Sequence, residues 1–104
     1  MLSPVLNSYP ATIAPMALFT VILEFGGGTY ISQIRSASVR GTVCKYASQL
    51  VEDQEIPGTA AKKSLAAVLR QDIPISITGV HNVWCCSASV GKKFALLNII
   101  QTAD

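Results

Sequence analysis

From Ile75 to Thr102 the sequence has no aspartate or glutamate, and only His81, Lys92 and Lys93 carry or can acquire positive charge. A stretch so poor in charge is at ease only as buried or half-buried β-structure. The scarcity also removes most of the groups that do acid–base chemistry. Over the whole 104 residues, 13% are charged and 50% apolar, against a charged share of about 25% in ordinary globular chains. Such a composition predicts one core and a further covered surface beyond it.

Other shortages narrow the function. The net charge is +2, far from the concentrated basic footprint of a dedicated nucleic-acid binder. The cysteines Cys44, Cys85 and Cys86 are odd in number, and adjacent residues of a strand point to opposite faces, so no disulfide framework is expected and a reducing cytoplasm is the expected location. Cys85-Cys86 lacks the spacer and second ligand pair of a zinc site; no metal and no cofactor are expected. The N-terminus has no positive region before its apolar residues, and Pro4, Pro10 and Pro15 interrupt any helix, unlike a signal peptide. The apolar stretch Ala11 to Phe25 is broken by Pro15 and Glu24 and is too short for a bilayer-spanning helix. Residues 1–15 are read as an irregular extension, Met16 as a candidate start, and 16–104 as a single α+β domain.

What is present has clear periods. Ala17 to Phe25 alternates, with Phe19, Val21, Leu23 and Phe25 on one face and Thr20 and Glu24 on the other, which predicts a strand. Gly26-Gly27-Gly28 then supplies a turn into a second alternating run, Thr29 to Arg35, the pattern of a β-hairpin. A phosphate loop would need the glycines to lead into a helix, with a Gly-Lys-Ser/Thr ending that is missing here.

After Ser36 the period changes. Val39, Val43, Tyr46, Ala47 and Leu50 recur at helical spacing behind Ser38, a suitable N-cap. Gly41 inside this helix suggests a close approach to the sheet. The acidic run Glu52 to Gly58 is a loop. A second, shorter helix follows with an apolar stripe of Ala61, Leu65, Val68 and Leu69, while Lys62, Lys63 and Arg70 are expected to face water. From Ile75 the chain is read as extended to Val90, with a bulge or bend at Gly79 and with Trp84, Cys86, Ala88 and Val90 sharing a face. A turn at Gly91-Lys92-Lys93 leads to a last strand, Phe94 to Thr102, apolar on both faces. That double face calls for a central position or a covering partner. The order is ββααββ: an antiparallel sheet of four or five strands with two helices on one face.

Phe19 to Leu50, a hairpin leading directly into a helix, resembles the first part of HicB-like antitoxin domains, in which a Gly–aromatic pair closes the hairpin. Gly28-Thr29-Tyr30 departs from that pairing, and the second helix and hairpin are additional. The resemblance covers about a third of the chain and implies a partner-binding regulatory module as an alternative function.

Candidate sites are few. Arg35, Ser36, Ser38 and Arg40 surround the start of the first helix, where amide N–H groups and the helix dipole favour an anion; a plain cap with two solvated arginines explains the same residues. His81 is the one imidazole, and in a continuous strand it lies too far from Cys85 for a nucleophile–base pair. Trp84, Tyr30, Phe25 and Phe94 would suit a nucleic-acid stacking surface only amid lysines and arginines that these strands lack, so core or interface burial is preferred. Trp84, Phe94, Leu96, Leu97, Ile99 and Ile100 are the candidate interface. The expected function is a small non-enzymatic interaction protein that self-associates, as a homodimer; a protein partner of antitoxin or immunity type and a small anion-binding or enzymatic domain are the alternatives.

Overall fold

The computed structural model describes residues 16–104; the extension read at 1–15 lies outside them. The strands are β1 (Ala17–Phe25), β2 (Gly28–Ser36), β3 (Ile75–Ser76), β4 (Val83–Val90) and β5 (Lys93–Ala103), and the helices are α1 (Val39–Glu52) and α2 (Thr59–Gln71). All neighbouring strands pair antiparallel, in the order β2-β1-β5-β4-β3. The last strand is therefore central, which answers half of its two-sided apolar pattern.

Local chemistry accounts for the elements. Gly26 and Gly27 form the turn at φ 59° and 85°, the doubly positive conformation whose twist matches a two-residue hairpin. Gly28 is already paired with Phe25 as the first residue of β2. Ser38 is the N-cap of α1, its Oγ accepting from the Gly41 amide at 2.9 Å. Gly41 does lie close to the sheet, since a β-carbon there would come within 2.6 Å of Ser36 Oγ.

The core lies between the helices and one sheet face. Phe19, Val21, Leu23 and Phe25 of β1 meet Ala95, Leu97 and Ile99 of β5 and Cys86 of β4, beneath Val43, Tyr46, Ala47 and Leu50 of α1 and Leu65, Ala66 and Leu69 of α2. Burying each of the larger aliphatic chains contributes about 1.5–3 kcal/mol. Helix α1 packs on β2 and β1, and α2 on β4 and α1.

Two expectations are corrected. The run from Ile75 to Val90 is not continuous extended chain: the bulge or bend expected at Gly79 is a full reversal, since Ile75 pairs with Cys85 and Ser76 with Trp84. Gly79 and Asn82, at φ 91° and 63°, make that reversal. Lys62 does not face water. It is 6% exposed, whereas Val68, assigned to the stripe, is 38% exposed. The ammonium reaches the Asp53 carbonyl at the end of α1, so the long stem can be buried while its charge keeps a partner.

Candidate interaction surface

Among the described residues, only one face of the sheet carries helices. Cross-strand register defines the other. One row runs Ile31, Ile22, Asn98, Cys85, Ile75 across all five strands. A second runs Gln33, Thr20, Ile100, Val83, and a third Thr29, Glu24, Leu96, Ser87. Ile22, Leu96 and Ile100 are half-buried, while Ile31 is 67% and Phe94 62% exposed. The polar members partly satisfy one another, Gln33 Nε2 donating to Thr20 Oγ1 at 3.2 Å and the hydroxyls of Thr20 and Thr102 lying 3.0 Å apart. The surface is a mixed apolar and hydroxyl-rich one.

The interface residues anticipated from the pattern divide between the two sides. Phe94, Leu96 and Ile100 lie on the uncovered face. Leu97 and Ile99 are fully buried against the helices and have no surface left to offer a partner. Trp84 lies on that same side, opposite Ile99, and packs its ring at a tilt 6.3 Å from that of Phe19. Tyr30 and Phe25 also face the helices, so they share no stacking platform with Phe94. Ile22 and Ile31 were missed as surface residues. The alternation that places Val21 and Leu23 inside places Ile22 outside, a signal that was available.

The anion constellation comes apart. Ser36 is buried, and Ser38 is occupied as the cap. Arg40 turns to the far end of α2, where its guanidinium donates to the carbonyls of Arg70 and Asp72, replacing the interior partners that the last carbonyls of a helix lack. Arg35 lies on the uncovered sheet face and donates to the Asp104 carbonyl at 3.4 Å. The two arginines therefore serve different elements and do not converge.

His81 is exposed in the reversal before β4 rather than within a strand. Cys86 is buried, and desolvation pushes its thiol up to about 11, with Asp72 and Cys85 adding to the rise and Arg40 opposing it. A thiol held protonated in this way is a weak nucleophile. Burial likewise raises the Tyr46 hydroxyl far above its ordinary value, with smaller contributions from Asp53 and Tyr30, and that hydroxyl has no hydrogen-bond partner among the described residues. A recess of about 310 Å³ beside the β1–β2 turn is lined by Glu24 to Thr29 with Phe94 and Leu96; Glu24 is its one ionisable side chain. No three His, Cys, Asp or Glu side chains come together as metal ligands among the described residues. Among those residues, no helix is long and apolar enough to cross a membrane.

These features define an α+β fold in two layers, with one sheet face covered by the helices and the other left open by the described residues. Comparison with protein-family models, with curated proteins and with solved structures found no match.

Proposed function

We propose that this chain is a small interaction protein that associates with a second copy of itself. The carrying observation is the exposure of Ile31 and Phe94 on a sheet face that neither helix covers, with Ile22, Leu96 and Ile100 half-buried beside them. Apolar surface that is contiguous across strands marks an interaction site more often than scattered apolar residues do, and like-with-like pairing about a two-fold axis is the commonest closed assembly. A homodimer is the expected form. Sedimentation equilibrium at tens of micromolar tests this: a mass near twice the 11.0 kDa chain is expected, and a purely monomeric fit overturns it.

A further inference from the structure

Among the described residues the sheet has two edges, and they are built differently. β3 has two residues, preceded by Pro74, which lacks an N–H. Shortness and proline are among the devices by which sheet edges avoid pairing. β2 has nine residues, Gly28–Ser36, without proline, in unbroken register with β1. Its one charged side chain is Arg35, near its end. Because Phe25 and Gly28 flank a two-residue turn they form a hydrogen-bonded pair, and the alternation of antiparallel pairing then turns the N–H and C=O of Thr29, Ile31, Gln33 and Arg35 outward.

We propose that the second copy joins at this edge, β2 against β2 in antiparallel register about Ser32, making one continuous ten-stranded sheet. The proposal rests on the self-association reading and specifies how the copies meet. Full-length pairing of β2 with itself sets Thr29 opposite Arg35 of the second copy and Ile31 opposite Gln33, both hydrogen-bonded pairs, so the outward groups of each strand match those of the other. On the helix side the same register sets Tyr30 opposite Ile34, an aromatic–β-branched pair of the favourable kind. No like charges face one another.

Charge complementarity supports the register. Glu24 lies beside Thr29 on the open face, so the row continues Glu24, Thr29, Arg35 of the second copy, and by symmetry it occurs twice. Two strand spacings, about 9.6 Å, separate Glu24 from that arginine, a gap that a glutamate and an arginine side chain together span once Arg35 gives up its 3.4 Å contact with the Asp104 carbonyl. Lys45 Nζ donates to the Arg35 carbonyl at 2.7 Å. A carbonyl oxygen has two lone pairs, so it can also accept from the Thr29 amide of the second copy. Pairing shields Ile31, an exposed residue of the edge strand, and joins the two open faces into one larger surface on which Phe94, Leu96 and Ile100 stay uncovered.

The test uses the full chain. Amide hydrogen exchange at concentrations spanning the sedimentation midpoint should show the amides of Thr29, Ile31, Gln33 and Arg35 gaining protection, about tenfold or more, as dimer forms. Ser32→Cys, across the two-fold axis, should give a disulfide-linked dimer under mild oxidation that wild type does not give. Glu24→Arg should weaken association by about three- to tenfold, and adding Arg35→Glu should restore it. A dimer whose four outward amides stay unprotected, with no Ser32→Cys cross-link, overturns edge pairing while leaving self-association standing. A wild-type chain that is monomeric by sedimentation overturns both.

Discussion

The Lys62 ammonium, on α2, donates to the main-chain carbonyl of Asp53, the C-cap of α1. The bond ties the end of one helix to the first turn of the next, across a loop in which Asp53 Oδ1 also accepts from the Glu55 amide at 2.9 Å. Lys62→Met keeps the buried stem but leaves that carbonyl without its charged donor. We expect a loss of about 1–3 kcal/mol, read as a lower urea midpoint with an unchanged m-value. An unchanged midpoint would show that the contact carries no net stability.

Tyr46 gives the opposite sign. Its hydroxyl is buried without a partner among the described residues, so the folded state bears a desolvation cost of about 1–3 kcal/mol with nothing returned. Tyr46→Phe is expected to be neutral or stabilising in thermal melts. A clear destabilisation would mean that the hydroxyl is bonded in solution.

Alkaline pH should unfold the chain in a defined window. The folded Cys86 thiol is raised from an ordinary 9.0 to about 11. Between those values the unfolded state has released its proton while the folded state keeps it, so stability falls with rising pH. The contribution is complete below pH 9 and lost as pH passes about 11. Raised Tyr46 acts in the same direction. Cys86→Ala should flatten the Cys86 part of this slope in pH-dependent denaturation. In a neutral-pH thiol titration of the native protein, Cys86 should react last of the three cysteines.

Arg40→Ala should lower stability by loosening the end of α2 from the start of α1, by about 1–3 kcal/mol for lost charge-assisted bonds. Inorganic phosphate should not change the melting temperature of the wild type. A rise with phosphate that Arg40→Ala abolishes would restore the anion reading.

Gly28→Ala probes the hairpin. A β-carbon there would come within 2.4 Å of the Tyr30 hydroxyl and 2.7 Å of its ring, so the Tyr30 side chain must shift. Loss of Tyr30 packing, seen as a shift in its aromatic NMR signals with β1–β2 amide protection reduced, is the expected result; an unmoved ring would contradict it.

Local rules set most of the elements. The alternation of Phe19, Val21, Leu23 and Phe25, the cap at Ser38 and the helical spacing from Val39 to Leu50 depend on neighbours a few residues away, and each could be read from the chain. So could the two-sided apolar last strand. Tertiary structure decided the rest. Strand order made β5 central and sent Leu97 and Ile99 to the covered side with Trp84, leaving Phe94, Leu96 and Ile100 outside. A turn through Gly79 and Asn82 reversed the chain where a bulge or bend was expected. Arg40 and Lys62 look like solvated charges in sequence because their carbonyl partners, on Asp72, Arg70 and Asp53, belong to other elements. Main-chain carbonyls carry no residue-type signal, and only packing brings a helix end within reach of a particular cation.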